Sequence, residues 1–333
     1  MEIAKLAVSG WFARALGVAA ELGLADILDG GAMSSEELAR RTGSHPDVML
    51  RLLQMLTVPG VVVRDDNGDF KIGEAFEALR SDHPISQRNF AILSAGLYDD
   101  AFAELGYTVR TGKSGFEKRF GATLYEYLEQ QPETADLFDR GMVDLARPVG
   151  HELAKHHDFS GVRKVIDVGG GSGGLLPGIL AANPEIEGVV ADRASVCERG
   201  KAKLAEVDPA LAKRISFAPA DFFAEVPTGG DRYVLKNVLH DWTFDNCVRI
   251  LGTVAKAIAA SDRPGRLLVV EPLVESDFDG WRAMFQVLAC DEGTLGLDED
   301  EMRKALGEAG FAVLSVARLL TGHKVLECEL AAG

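Results

Sequence analysis

The stretch KVIDVGGGSGGLL at residues 164–176 decides the fold of this chain. Its first residues form a short apolar run that predicts a buried strand, and the glycines that follow allow a tight turn before a helix begins near Leu175. A strand, a glycine-rich turn and a helix form the crevice in which doubly wound α/β proteins bind nucleotide-like ligands. Asp167 lies just before the glycines, and Asp192 ends the next apolar run, GVVAD. Their carboxylates are candidates to bind an amino group and a ribose.

The glycine spacing alone leaves the ligand open. Gly169, Gly171 and Gly174 satisfy the G-x-G-x-x-G pattern of dinucleotide-binding folds, and a turn that binds no ligand is a further interpretation. Three consecutive glycines after Asp-Val resemble instead the S-adenosylmethionine loop of class I methyltransferases. That cofactor has no pyrophosphate to place at the helix N-terminus, so close backbone approach matters more than anion binding.

Composition and charge narrow the class of ligand. A chain of 333 residues exceeds a typical single core and predicts two domains. A formal net charge of -16 argues against nucleic acid or an anionic membrane as partner, so we expect a small ligand. The pattern predicts no signal peptide and no transmembrane span. Four widely separated cysteines, Cys197, Cys247, Cys290 and Cys328, predict buried thiols in a reducing cytoplasm, with no disulfide framework and no metal site.

The first 95 residues read as helices followed by a two-stranded ribbon, which is a winged-helix pattern. Ser34 and Glu37 have the spacing of a capping box. A DNA-binding regulator is one interpretation, but nine Lys and Arg against thirteen Asp and Glu in this region speak against it. Apolar residues such as Trp11, Phe12 and Leu16 favour a surface for a second copy of the chain.

Residues 96–157 are predicted to be helical and rich in aromatic side chains, some of which could line an apolar acceptor pocket. From residue 158 onward, strands alternate with helices, which predicts a parallel doubly wound sheet that ends in a hairpin around 321–323. We therefore expect three regions, 1–95, 96–157 and 158–333. Several polar residues fall at or just beyond the carboxyl ends of the predicted strands, where such sheets bind ligands: Asp167, Asp192, Asp221, Lys236, His240 and Glu271.

Motifs along nearly the whole chain resemble the small-molecule O-methyltransferases typified by plant caffeic acid O-methyltransferases and by bacterial polyketide and anthracycline tailoring enzymes. They include AAELGLADIL and LRLLQML near the start, FGATLYEYL in the middle, and VIDVGGGSGG, VLKNVLHDW and EAGF in the second half. The resemblance implies an α/β fold: a class I methyltransferase Rossmann-like sheet with an N-terminal winged-helix dimerisation domain. It further implies a homodimer that methylates a hydroxyl of a small aromatic or polyketide-type natural product.

The resemblance also assigns roles to matching residues. It implies that Gly169 and Gly171 back the S-adenosylmethionine cofactor, Asp192 holds its ribose, Asp221 and Phe222 flank its adenine, and Lys236 lies beside it. His240 matches the general base, and Glu271 matches a glutamate that orients that histidine. Met142, Asp241 and Asp291 fall in the acceptor pocket. A histidine with an ordinary pKa near 6.5 would suit the removal of a phenolic proton at neutral pH.

Two positions depart from the family pattern. The second orienting glutamate of the plant members is replaced by Gly296, and the usual Asp-Leu-Pro after the second strand is Asp192-Arg193-Ala194. The first departure keeps open an enzyme of the same fold that uses S-adenosylmethionine for C- or N-methylation or for chemistry other than methyl transfer. A nicotinamide-dependent dehydrogenase is a further alternative.

Overall fold

The computed structural model describes residues 2–263, 265–276, 279–290, 292–294 and 296–331. The chain divides into two compact units, residues 1–100 and 101–333. Within the described residues, no helix combines the length and the apolar character that are needed to cross a membrane. The division into three regions that we derived from the sequence stays a prediction.

The first unit is helical with a small antiparallel ribbon. Its helices are α1 Glu2–Ala7, α2 Ser9–Glu21, α3 Leu24–Leu28, α4 Ser35–Thr42, α5 Pro46–Thr57 and α6 Arg88–Leu93, and α7 Asp99–Phe102 spans the boundary between the units. The ribbon pairs β1 Val62–Arg64 with β2 Phe70–Ile72. The predicted helix cap is half right. The Ser34 side chain accepts a hydrogen bond from the backbone N–H of Glu37, but the Glu37 carboxylate pairs with Arg40 and Arg41 rather than returning to Ser34.

The second unit contains a seven-stranded sheet covered by helices. Its strands are β3 Lys164–Val168, β4 Glu187–Asp192, β5 Ile215–Pro219, β6 Arg232–Lys236, β7 Arg266–Glu271, β8 Phe311–Arg318 and β9 Lys324–Leu330. Its helices are α8 Leu105–Thr111, α9 Gly115–Phe120, α10 Leu124–Gln130, α11 Pro132–His156, α12 Leu176–Ala182, α13 Ala194–Val207, α14 Phe244–Ala259, α15 Gly280–Ala289 and α16 Glu299–Glu308.

The strand order is β5-β4-β3-β6-β7-β9-β8, in which β3 to β7 are parallel and β9 is antiparallel to both of its neighbours, β7 and β8. This arrangement confirms the predicted doubly wound sheet and its C-terminal hairpin. The strand order reverses between β3 and β6, so the crevice of the fold opens at the carboxyl end of β3. The glycine-rich turn that follows β3 lies at this point.

One apolar core lies on each face of the sheet, because the central strands are buried on both sides. On one face, the strands pack against Ile250, Leu251 and Val254 of α14. On the other face, they pack against α11 and α12, which approach closely through Gly150 and Gly178. A Cβ atom on residue 178 would lie 2.6 Å from the backbone of Gly150 and of His151.

We predict that Gly178→Ala destabilises the protein by about 1 to 3 kcal/mol, because the added methyl group meets backbone that cannot move aside. The midpoint of chemical denaturation measures this loss. Gly252→Ala on α14 is the matched control, since nothing lies within 4 Å of a Cβ there and alanine favours a helix by about 1 kcal/mol. Equal midpoints for the two variants would contradict the close contact between α11 and α12.

Candidate active site

The strand ends bring four of the six predicted polar residues side by side. Asp167 lies next to last in β3, and Asp192, Lys236 and Glu271 are the last residues of β4, β6 and β7. Because β3 pairs with both β4 and β6, and β6 pairs with β7, these residues form one row along the edge of the sheet. Asp221 lies two residues beyond β5 and is exposed. His240 belongs to a short 3₁₀ turn, Leu239–Asp241, after β6.

The glycine-rich turn wraps the end of β3 in backbone that few other residues could adopt. Gly169, Gly171 and Gly173 have φ values of 69°, 58° and 82°. A Cβ atom on Gly170 would lie 2.5 Å from the Asp167 carboxylate, so the turn also needs glycine for close packing. The Gly171 N–H donates to Asp192 Oδ2 over 2.8 Å, and the Arg193 N–H donates to Asp192 Oδ1 over 2.7 Å. The loop and the second strand end are therefore held together.

The Asp167 carboxylate is buried without a partner for one of its oxygens. Its exposure is 1 %, and among the described residues no hydrogen bond reaches Oδ2. Burial raises the pKa of Asp167 to about 7, although the nearby Lys236 ammonium opposes this shift. Burial likewise lowers the pKa of Lys236 to about 8, against the carboxylates of Asp167, Glu271 and Asp241. A cationic group that met Asp167 Oδ2 would favour its ionised form.

His240 is fixed by Glu271, a completely buried carboxylate. Glu271 Oε1 accepts hydrogen bonds from the backbone N–H groups of Val238 and Leu239, each over 2.8 Å. Glu271 Oε2 lies 2.6 Å from His240 Nδ1. The end of β7 thus sets both the backbone of the turn and the orientation of the imidazole ring, as a general base requires.

A second carboxylate faces the other nitrogen of the ring, which the sequence did not predict. Asp241 Oδ1 lies 3.2 Å from His240 Nε2. The same carboxylate accepts hydrogen bonds from the Tyr125 hydroxyl over 2.7 Å and from the Cys290 thiol over 3.0 Å.

Cys290 is only half-buried, so the prediction of four buried thiols holds for the other three cysteines.

The two carboxylates change the charge of the histidine. Burial lowers the pKa of His240, but Glu271 and Asp241 outweigh burial and raise this pKa to about 10. The ring is therefore an imidazolium at neutral pH and donates to both carboxylates. The sequence analysis assumed the ordinary pKa of 6.5, because it did not predict that Asp241 lies at Nε2.

The backbone conformation at Gly296 disfavours the glutamate that the family's plant members have there. Its φ of 81° disfavours any residue with a side chain, and a Cβ atom there would lie 2.7 Å from Gln286 Oε1. The second acid near the imidazole is instead Asp241, the residue next to His240. Asp298 caps α16, and the acids that follow it up to Glu301 occupy the first turn of that helix, where negative charge matches the helix dipole.

Arg193, the other departure, reaches across to helix α10. Its guanidinium donates to Glu129 Oε1 over 2.6 Å and lies 5.0 Å from the centre of the Tyr125 ring. The Tyr125 ring also stacks on Trp242, with ring centres 6.2 Å apart and an interplanar angle of 17°. Tyr125 and Glu129 were missed by sequence reasoning as individual site residues, since helical spacing does not show which aromatic residue meets a distant strand end.

Three further predicted residues are Phe222, Met142 and Asp291. Phe222 lies against the glycine turn, 3.6 Å from a Cβ built on Gly169, and its ring contacts Trp242 edge-on at 5.8 Å. Met142 lies on α11 and is half-buried. Its neighbour Val143 packs against the turn, where a Cβ on Gly174 would lie 2.8 Å from Val143 Cα. Asp291 lies outside the described residues.

Comparison with known proteins identifies the family. Residues 102–312 match the O-methyltransferase domain, and residues 5–78 match the O-methyltransferase dimerisation domain. The chain belongs to the O-methyltransferase family. This confirms the predicted fold class and the predicted enzyme class, and S-adenosylmethionine is the cofactor of this family.

Relatives of this O-methyltransferase act on different molecules. A phenazine O-methyltransferase of Lysobacter antibioticus is 34% identical over 325 residues, which cover 96% of this chain and 93% of the relative. An aclacinomycin 10-hydroxylase of Streptomyces purpurascens is 33% identical, covering 90% of this chain and 81% of the relative. A crystal structure of an O-methyltransferase from neocarzinostatin biosynthesis, in complex with S-adenosylmethionine and 2-hydroxy-5-methyl naphthoic acid, has a TM-score of 0.76, 29% identity and coverage of 96% and 95%.

The crevice of this O-methyltransferase fits such a cofactor. The unpartnered Asp167 oxygen suits an ammonium group, and Asp192 retains lone pairs for ribose hydroxyls beyond the two backbone hydrogen bonds that it accepts. The structure supports a cofactor contact for Asp221 less strongly, because its Oδ1 already accepts the backbone N–H of Phe223 and its side chain is exposed.

We predict that Asp192→Ala weakens the binding of S-adenosylmethionine by about 1.5 to 3 kcal/mol, because hydrogen bonds to a charged acceptor are lost. Titration calorimetry measures the change. Glu198→Ala, an exposed acid on α13, removes the same charge away from the crevice and should bind as the parent does. Absence of heat with S-adenosylmethionine, together with tight binding of a nicotinamide dinucleotide, would contradict the assignment.

Proposed function

We propose that this enzyme transfers the methyl group of S-adenosylmethionine to a hydroxyl on a planar, largely apolar aromatic acceptor, with His240 as the general base. The observation that carries the proposal is the contact between Glu271 and His240. Glu271 ends β7 in the same row of strand ends as Asp167, whose Oδ2 has no partner among the described residues. Relatives that act on a phenazine and bind a naphthoic acid support an aromatic acceptor.

Each residue has a defined task in this proposal. Bound S-adenosylmethionine supplies a methyl group that is already activated by a positively charged sulfur. Asp167 would hold the ammonium group of that molecule and Asp192 its ribose, and Glu271 keeps the Nδ1–H of His240 pointed away from the acceptor. His240 first loses its Nε2 proton to solvent and then takes the hydroxyl proton at Nε2, and the surrounding residues align the acceptor oxygen with the methyl group.

Asp241 must give way for this to occur. In the structure, the Nε2 proton of the imidazolium is directed to Asp241 Oδ1. A neutral ring in the tautomer fixed by Glu271 would present a lone pair to that oxygen, which is unfavourable. We infer that an acceptor hydroxyl takes the place of Asp241 Oδ1 at Nε2, while Tyr125 and Cys290 keep their hydrogen bonds to the displaced carboxylate.

The experiment that tests the function is a screen with S-adenosylmethionine that carries a labelled methyl group. Hydroxybenzoates, hydroxynaphthoates and hydroxylated phenazine carboxylates are the acceptors, and the products are the labelled methyl ether and S-adenosylhomocysteine. His240→Ala should lower kcat by about 100-fold or more while cofactor affinity changes only a few-fold, because the lost interaction belongs to the transition state. Near-full turnover by this variant would show that alignment alone carries the reaction.

The pH profile gives a separate prediction. Because the pKa of His240 in the free enzyme is raised to about 10, kcat/KM should keep rising with pH well above 7 instead of levelling off just above 6.5. Asp241→Asn removes one of the two negative charges and should move this ascending limb to lower pH. Asp245→Asn, on the exposed first turn of α14, is the charge-matched control and should leave the limb in place. An unchanged limb in Asp241→Asn would contradict the role of Asp241.

A second candidate function is a reaction other than O-methylation on the same cofactor. It is favoured by the engagement of both nitrogens of His240 with carboxylates, and by the relative that is an aclacinomycin 10-hydroxylase. In that case the labelled methyl group would stay on the cofactor or would appear on carbon or nitrogen, which the same screen distinguishes.

We also propose that the protein is a homodimer built on its dimerisation domain. Apolar side chains on α1 and α2 are exposed, including Leu6 at 76 % and Trp11 at 66 %. Replacing both with aspartate should yield a folded monomer, because charges would have to be buried in the interface. Light scattering measures the mass. Val207→Asp, at an exposed apolar position on α13, should remain a dimer, and a monomeric parent protein at micromolar concentration would contradict the proposal.

A further inference from the structure

The turn that carries His240 begins with an unusual backbone conformation. Among the residues that the structure describes, Asn237 is the one non-glycine residue with a positive φ, of 54°. It lies between the end of β6 and Val238, whose N–H is the first of the two that bind Glu271. Asparagine tolerates the left-handed region better than most residues, but the conformation still needs support from its surroundings.

The Asn237 side chain receives that support from the β8–β9 turn. Asn237 Oδ1 lies 2.9 Å from His323 Nε2, and His323 Nδ1 lies 3.0 Å from Thr321 Oγ1. One neutral tautomer satisfies both contacts: Nε2–H donates to Asn237, and Nδ1 accepts from the Thr321 hydroxyl. Burial, together with the nearby cations Lys236 and His240, lowers the pKa of His323 to about 3 and so keeps the ring neutral.

The position of His323 is set by the same strand end that carries Glu271. The residue that follows it, Lys324, is the register partner of Glu271 across β7 and β9. The His323 carbonyl accepts the Leu319 N–H over 2.9 Å, which closes the turn. Asn237 is tied to the sheet as well, since its N–H donates to the Val270 carbonyl over 3.1 Å. The hairpin and the active-site turn therefore meet through one side-chain hydrogen bond.

We propose that His323 is a positioning residue of this enzyme: it holds Asn237 in the left-handed conformation and thereby keeps residues 238–240 against Glu271. The proposal rests on the proposed role of His240 as the base. His323 itself does not face the reacting groups, because both of its ring nitrogens are engaged by Thr321 and Asn237.

The test is a double-mutant cycle on residues 237 and 323. His323→Ala should lower kcat by about 10-fold to 100-fold, because a small displacement of His240 misaligns the proton transfer, while the Kd for S-adenosylmethionine stays within a few-fold. His323→Gln keeps an N–H donor at the position of Nε2, so its kcat should be close to that of the parent. His45→Gln, at an exposed helix start, is the matched control and should behave as the parent.

The second arm of the cycle uses Asn237→Gly. Glycine adopts a positive φ without a supporting side chain, so His323→Ala should cost much less in the Asn237→Gly background than in the parent. Equal losses in the two backgrounds would overturn the proposal. Should His323→Ala fail to fold, His323→Asn, whose amide is too short to reach Asn237, takes its place in the cycle.

A measurement without turnover separates this proposal from the proposed function. The pKa of His240, followed by NMR of the imidazole, depends on the carboxylates that face it, which are Glu271 and Asp241. His323→Ala should lower this pKa by loosening the contact with Glu271. An unchanged pKa would overturn the positioning role, whatever the turnover. A lowered pKa combined with full activity of His240→Ala would support the positioning role and overturn the base.

Discussion

The candidate active site depends on one buried carboxylate, that of Glu271. A charge removed from water is costly unless it is fully hydrogen-bonded, and Glu271 meets this condition with two backbone N–H groups and the His240 ring. The turn after β6 cannot move without leaving that charge unsatisfied, which costs about 3 to 5 kcal/mol when one partner of a buried pair is lost. The position of the imidazole ring is therefore fixed by the burial of Glu271 rather than by local helix or strand propensity.

The charges around Glu271 explain why the crevice favours a positively charged molecule. Asp167, Asp241 and Glu271 are carboxyl groups at buried or nearly buried positions, and Lys236 and His240 are the cations among them. Asp192 adds a further acid at the neighbouring strand end. The pKa of Asp167 is raised to about 7, so this group responds readily to an arriving cation. The carboxyl groups outnumber the cations in this crevice, and a ligand with a sulfonium and an ammonium group supplies the missing positive charge.

The sequence predicted the row of polar residues at the strand ends and the contact of His240 with Glu271, but it did not predict the contact of His240 with Asp241. Residues such as Asp192, Lys236 and Glu271 lie at strand ends, and alternation of apolar runs with helices locates strand ends directly. The contact of Tyr125 with Asp241 joins residues 116 positions apart, and no local period encodes it. The φ of 54° at Asn237 is equally invisible, because asparagine is common in ordinary conformations too.

The position of Asp241 directly after His240 has a consequence for the proposed reaction. A residue next to His240 moves with the same turn, so it can lie on the imidazole without help from the segment around Gly296. The added carboxylate makes His240 a stronger base once its proton has left, but it also reduces the fraction of molecules in which the ring is free to act. These two effects oppose each other. When an acceptor displaces Asp241 and the crevice holds a cation, both changes lower the pKa of His240, so a larger fraction of the rings is neutral and able to take the hydroxyl proton in the proposed reaction.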